Sequence, residues 1–117
     1  MGELSKLETR TPIEIALDID SDGMTTARKL YAFLELAPQH YARWLKSNIL
    51  GNEFAIENED YFHSPLMVSE QGRGNFSDDY KLTAHFAKKL SVKGNSERAE
   101  QAREYFTTIE ERVKQKS

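Results

Sequence analysis

The chain contains no cysteine among its 117 residues. This absence excludes disulfide bonds, thiolate metal sites and cysteine nucleophiles, and it fits a reducing compartment. The sequence also has no stretch approaching the roughly 20 apolar residues that span a bilayer. Residues 1–12 are polar and charged, without the apolar segment of a signal peptide. We therefore expect a cytoplasmic protein without membrane association.

The net charge is only −3, but the charged residues are unevenly distributed. Residues 1–23 carry a net charge of −4 and residues 52–80 carry −6, whereas residues 24–51 carry +3 and residues 81–117 carry +4. Two basic blocks predict surfaces for an anionic partner. An acidic chain does not favour strong nonspecific binding of nucleic acid, and a mixed solvated surface explains the pattern equally well.

The periodicity of the first half predicts the start of a small α+β domain. Residues 1–12 are expected to form a disordered tail, and residues 13–117 a single domain. Apolar residues alternate from Ile13 to Ile19, which predicts an N-terminal strand. A threonine-capped helix follows, and Pro38 separates it from a second helix that ends near Gly51, as in a helix-turn-helix-like pair.

The second half predicts a β-hairpin and two C-terminal helices. Apolar runs flank a glycine-rich segment, which indicates two paired strands with Arg73 at the tip. Thr83 is expected to cap a helix that ends at Gly94, and Asn95 or Ser96 begins a last helix of about 20 residues.

The last helix has an apolar stripe that is long for a domain of this size. We expect this stripe to continue past the core into a contact between chains. Tyr105, Ile109 and Val113 are the candidate residues of this dimer helix, and the expected assembly is a homo-oligomer.

No pattern in the chain predicts catalysis, a metal site or a cofactor. Asp18, Asp20 and Asp22 with Gly23 match the first half of a calcium-binding loop. Lys29, however, stands where the loop requires a glutamate, and the preceding residues alternate like a strand. We interpret the aspartates as turn formers. The three histidines lie in different elements, without the spacing of a helical zinc site, and we expect no enzymatic activity.

Basic side chains supply two candidate binding surfaces. Arg43 and Lys46 lie on the second helix of the pair, where a recognition helix meets DNA, and Arg73 would reach a groove from the hairpin tip. Tyr41 and Trp44 are expected in the core. A second set surrounds the junction of the last two helices as a candidate partner or anion patch, comprising Lys88, Lys89, Lys93 and Arg98. Ordinary solvated helix faces are the alternative interpretation of both sets.

Several short motifs occur in an order that resembles the AntA/AntB antirepressor family. They are Thr26–Glu35 with its Ala-Arg pair, Trp44–Lys46, the acidic turn Glu57–Tyr61, Asp79–Thr83, and Gln101–Phe106 followed by Glu110. Together they extend from about Ile13 to Val113. The chain departs from the family pattern at Arg98-Ala99, where a Lys-Gly step is frequent, and at Lys81, where a hydrophobic residue is usual.

The resemblance implies a regulator from a phage or related mobile element. Such a protein binds a repressor protein and relieves transcriptional repression, without catalytic residues. The resemblance also implies that the motif residues mainly hold the fold, namely Arg28, Trp44, Asp60, Tyr61, Tyr80, Lys88, Arg103 and Phe106. Direct DNA binding through the helix pair and the hairpin tip is the alternative function.

Overall fold

The computed structural model describes residues 10–64, 79–92 and 94–116. Its elements are α1 (Pro12–Ala16), β1 (Thr25–Thr26), α2 (Ala27–Phe33), a 3-10 turn (Pro38–His40), α3 (Tyr41–Leu45), a π-helical turn (Lys46–Leu50), β2 (Tyr61–Ser64), β3 (Asp79–Leu82), α4 (Ala84–Leu90) and α5 (Ser96–Lys116). These elements confirm the predicted α+β class. Residues 1–9 of the predicted tail lie outside the described residues, as does the hairpin tip with Arg73.

The N-terminal segment forms a helix, α1, and the prediction of a strand there was wrong. Thr11 Oγ1 accepts a hydrogen bond from the Glu14 N–H (3.4 Å), and Glu14 Oε1 accepts one from the Thr11 N–H (2.8 Å). Pro12 occupies the first helical position, where its missing donor is not needed. Because the segment is helical, its apolar residues do not share one face: Leu17 is buried, whereas Ile15 is 44% exposed.

The three strands form one antiparallel sheet in the order β1-β3-β2. Leu82 on β3 faces Thr25 of β1 and Tyr61 of β2, and all three are buried, so this face of the sheet lies toward the core. The Thr25 hydroxyl donates to the Leu17 carbonyl oxygen (2.6 Å), which joins the sheet edge to the end of α1. The pairing of β2 with β3 confirms the antiparallel strand pair predicted from the sequence.

Polar caps begin the helices α2, α4 and α5 as predicted. The side chains of Thr26, Thr83 and Asn95 accept hydrogen bonds from N–H groups two or three residues later, at 3.0–3.2 Å. These N–H groups have no partner within their own helix, so each cap compensates for a bond that the first turn cannot make. The starts of these helices are therefore determined locally.

The core lies where α5 packs against α4 and where α2 packs against the sheet. On α5, Ala99, Ala102, Phe106 and Ile109 are buried at spacings of three and four, which is the predicted apolar stripe. Phe106 is fully buried. Although α5 has 21 residues, neither it nor any other helix in the described part of the chain is long and apolar enough to cross a membrane.

Candidate interaction surfaces

The helix formed by α3 and its π-helical turn directs two basic side chains to solvent. Trp44 and Leu45 are buried, whereas Arg43 and Lys46 are exposed. Residues three positions apart lie on the same side of a helix. The structure therefore places two of the three predicted DNA-contacting residues on one exposed helix face, while the third, Arg73, lies outside the described residues.

Behind this face, three aromatic rings join α2 to α3. The ring centroids of Tyr31, Tyr41 and Trp44 lie 5.0–6.2 Å apart. The Arg28 guanidinium lies 4.8 Å from the centroid of the Tyr41 ring. The backbone N–H of Arg28 donates a hydrogen bond to Asp79 Oδ1 (3.2 Å). Burial raises the pKa of the Tyr41 hydroxyl above its usual range. These contacts confirm that Tyr41 and Trp44 belong to the core packing.

Lys88, a member of the predicted anion patch, is held in an ion pair between α4 and α5. Its Nζ lies 2.5 Å from Glu110 Oε1, and His85 Nδ1 lies 2.7 Å from Glu110 Oε2. Partial burial raises the pKa of Glu110, but the hydrogen bonds from Lys88 and His85 outweigh it and leave the pKa below its ordinary value. Lys88 therefore serves the packing of two helices rather than a free cationic surface.

Arg98, also predicted in this patch, contacts its own chain. Its guanidinium lies 4.8 Å from the centroid of the Phe33 ring and 3.7 Å from Glu35 Oε2. Lys89 is exposed, and Lys93 lies outside the described residues. Among the patch residues that the structure describes, two of three are thus engaged within the chain, and the assignment of a partner or anion patch stays a prediction.

Two residues of the predicted dimer stripe on α5 are engaged or buried within the chain. Tyr105 donates its hydroxyl hydrogen to Glu14 Oε2 (2.8 Å), and Ile109 is only 8% exposed. The pKa of Glu14 is lowered first by the hydrogen bond from the Thr11 N–H and then by that from Tyr105. Tyr105 and Ile109 therefore both have contacts within their own chain, and their assignment to a dimer contact stays a prediction. The side chain of Val113 lies outside the described part.

The aspartate-rich turn after α1 is held by its own hydrogen bonds. Asp20 Oδ1 accepts from the N–H groups of Asp22 (2.9 Å) and Met24 (3.0 Å), and Asp20 Oδ2 lies 2.6 Å from Lys81 Nζ. Both carboxylate oxygens are therefore engaged, and Lys81, where the family usually has a hydrophobic residue, ties β3 to this turn. Within the described residues, no group of three or more acidic or histidine side chains is arranged to hold a metal ion.

We expect the stability of the fold to fall in acid because Glu14, Asp20 and Glu110 all have lowered pKa values. For Asp20, burial raises the pKa, but hydrogen bonds from Lys81 and two backbone N–H groups outweigh it. Each carboxylate stabilises the fold above its unfolded-state pKa of about 4–4.5, and this contribution is lost as the pH falls through the lower folded-state pKa. Urea unfolding at pH 7, 5, 4 and 3 measures this.

The variant Asp20→Asn provides the control for that pH series. It removes one of the three titrating groups while keeping the size of the side chain, so its stability should fall less steeply between pH 5 and pH 3. A wild-type free energy of unfolding that stays constant down to pH 3 would contradict the prediction.

Sequence reasoning missed one exposed segment, the loop formed by residues 50–60, which we call the Phe54 loop. Three of the five large apolar side chains that are exposed in the described chain lie in it: Leu50 is 48% exposed, Phe54 78% and Ile56 53%. In the sequence, this segment has apolar residues between acidic ones, with neither the periodicity of a helix nor that of a strand. Without the structure, that pattern does not show which side chains face solvent.

The fold defines a small α+β module. Residues 25–96 match the family model described as AntA/AntB antirepressor, and the chain belongs to this family. The match covers more than half of the chain and confirms the resemblance seen in the sequence. The family is a regulatory one. No curated protein and no solved structure matches the chain.

Proposed function

We propose that the protein acts in the cytoplasm as an antirepressor of a phage or mobile element. It binds a repressor protein, removes it from its operator and so relieves repression, without catalysing a reaction. The family match over residues 25–96 carries this proposal. The exposed apolar side chains of the Phe54 loop support it, because a surface that keeps aromatic and aliphatic groups in water is typical of protein–protein contact sites.

A homo-oligomer built through α5 is part of the same proposal. It is supported by the length of this helix, which continues to Lys116. Because Tyr105 and Ile109 contact their own chain, Val113 and the end of the helix remain the candidate contact.

Release of a labelled operator duplex tests the function directly. The duplex is first saturated with a purified repressor protein that binds it, and the present protein is then titrated in while fluorescence anisotropy is recorded. We expect the anisotropy to fall to the value of the free duplex at a stoichiometric amount of protein. Anisotropy that stays at the repressor-bound value throughout would contradict the proposal.

Direct DNA binding is the second candidate function, and the common exposed face of Arg43 and Lys46 favours it. In this case the protein alone would raise the anisotropy of the duplex, and the effect would weaken steeply with salt, because basic side chains displace counterions from phosphates. Replacing Arg43, Lys46 and Arg73 together with alanine would then reduce affinity and flatten the salt dependence. Unchanged affinity in this triple variant would exclude the second candidate.

A further inference from the structure

The Phe54 loop exposes a large aromatic side chain to solvent, whereas other phenylalanine side chains of the chain are buried in the core. Phe54 is 78% exposed, and Ile56 and Leu50 are about half exposed within the same short segment. Single exposed apolar residues are common, but several together mark a surface that is covered in a complex. Burying apolar area contributes roughly 25 cal/mol per Å², so covering these side chains is a source of affinity.

The backbone of this loop is held in one arrangement by its own hydrogen bonds. Asn52 Oδ1 accepts from the Phe54 N–H (2.9 Å), and the Asn52 carbonyl oxygen accepts from the Ala55 N–H (3.0 Å). Asp60 Oδ2 accepts from the Ile56 N–H (2.9 Å), and the Asp60 N–H donates back to the Ile56 carbonyl oxygen (2.8 Å). A surface ordered before binding loses less conformational entropy on binding. The loop therefore presents Phe54 and Ile56 ready for contact.

The charged side chains of the loop itself are all acidic. Glu53, Glu57 and Glu59 are exposed, and residues 51–60 contain no basic residue. The surface complementary to the loop is therefore an apolar pocket surrounded by basic side chains. Charges at the rim of an interface mainly control the rate and salt dependence of association, whereas a buried aromatic residue at its centre supplies most of the affinity.

We propose that the Phe54 loop docks on the DNA-binding face of the repressor. This inference rests on the proposed function and names the surface that performs it. A repressor must carry a basic surface to hold DNA phosphates, and that surface is complementary to the acidic rim of the loop. The operator and the loop then compete for the same basic face, so that binding of this protein and binding of DNA exclude each other.

Three variants of the full chain test the docking site against the same purified repressor. F54A/I56A removes the apolar centre, E53Q/E57Q/E59Q removes the charge of the rim at constant size, and V92A is the control. Val92 is 62% exposed but lies after α4, outside the loop. The affinity is measured by isothermal titration at low and near-physiological salt, and urea unfolding confirms that all variants retain wild-type stability.

We expect F54A/I56A to weaken binding about 30-fold or more at both salt concentrations, as for a buried aromatic anchor. E53Q/E57Q/E59Q should weaken binding mainly at low salt and flatten the salt dependence. V92A should bind like the wild type. Prior addition of operator duplex should lower the apparent affinity of the wild type for the repressor, as expected for competition at one face.

The contrary outcomes separate this inference from the proposed function. A wild-type protein that does not bind the repressor overturns both. Wild-type binding that F54A/I56A leaves unchanged overturns only the docking site. A ternary complex of this protein, the repressor and the operator would contradict the proposal that the loop and the operator compete for the basic face. If instead the loop variants change the mass of the protein alone in sedimentation, the loop contacts a second copy of this chain, and the assignment to the repressor fails.

Discussion

Phe106→Ala is expected to remove a large fraction of the free energy of unfolding, about 3–5 kcal/mol. Phe106 on α5 is fully buried in the core, and truncation of a buried phenylalanine removes its transfer free energy and leaves a cavity, costing about 3–5 kcal/mol. Domains of this size have a free energy of unfolding of about 5–15 kcal/mol. Urea unfolding followed by the fluorescence of Trp44, the single tryptophan, measures the loss.

Phe54→Ala is the matched control, because it deletes the same atoms from a side chain that is 78% exposed. Since this ring contributes little to the core, we expect the free energy of unfolding to stay within about 0.5 kcal/mol of wild type. Similar losses in the two variants would mean that Phe106 does not occupy a close-packed site. The pair also separates stability from binding, since only Phe54 belongs to the proposed docking site.

Gly94→Ala is expected to cost about 3 kcal/mol or more, although it adds a single methyl group. Gly94 has φ +94°, a conformation in which a side chain costs about 1–3 kcal/mol. An added Cβ would lie 2.7 Å from the Leu34 carbonyl oxygen and 2.9 Å from Leu34 Cβ. This oxygen accepts the Asn95 N–H at 3.1 Å, so it cannot withdraw without weakening the junction before α5. The midpoint of urea unfolding reports the effect.

Gly23→Ala separates the cost of a positive φ from the cost of a steric contact with the backbone. Gly23 also has a positive φ, +79°, but its added Cβ would meet Ile109 Cγ2 at 2.9 Å, a side-chain methyl group that is able to shift. We therefore expect a smaller loss, about 1–2 kcal/mol from the backbone conformation. If Gly23→Ala proved as damaging as Gly94→Ala, the close approach to the Leu34 carbonyl would not be the deciding term.

The elements predicted correctly are those whose signals are local. Thr26, Thr83 and Asn95 cap their helices through bonds to N–H groups two or three residues away, and such bonds require no distant part of the chain. The buried stripe of α5 likewise follows from its spacing of three and four residues. The family match over residues 25–96 confirms the family that the motifs indicated.

The first helix shows how two local signals can compete. Alternation of Ile13, Ile15 and Leu17 predicts a strand, whereas Thr11-Pro12 followed by Glu14 is a capping box with proline at the first helical position. In the part of the chain that the structure describes, the three strands pair with one another and not with this segment, whereas the helix satisfies its own backbone groups. The capping box is present in the sequence, and here it indicates the helix more reliably than the alternation of apolar residues indicates a strand.

The sequence by itself determined the class of the domain, the starts of three helices and the family. Each depends on residues close together in the chain or on motif order. Only the tertiary structure decided the surface: Glu110 engages Lys88, Glu14 engages Tyr105, and the Phe54 loop is left in water. The first two contacts join residues 22 and 91 positions apart. Pairing over such separations depends on how the elements pack, and one-dimensional patterns do not specify that packing.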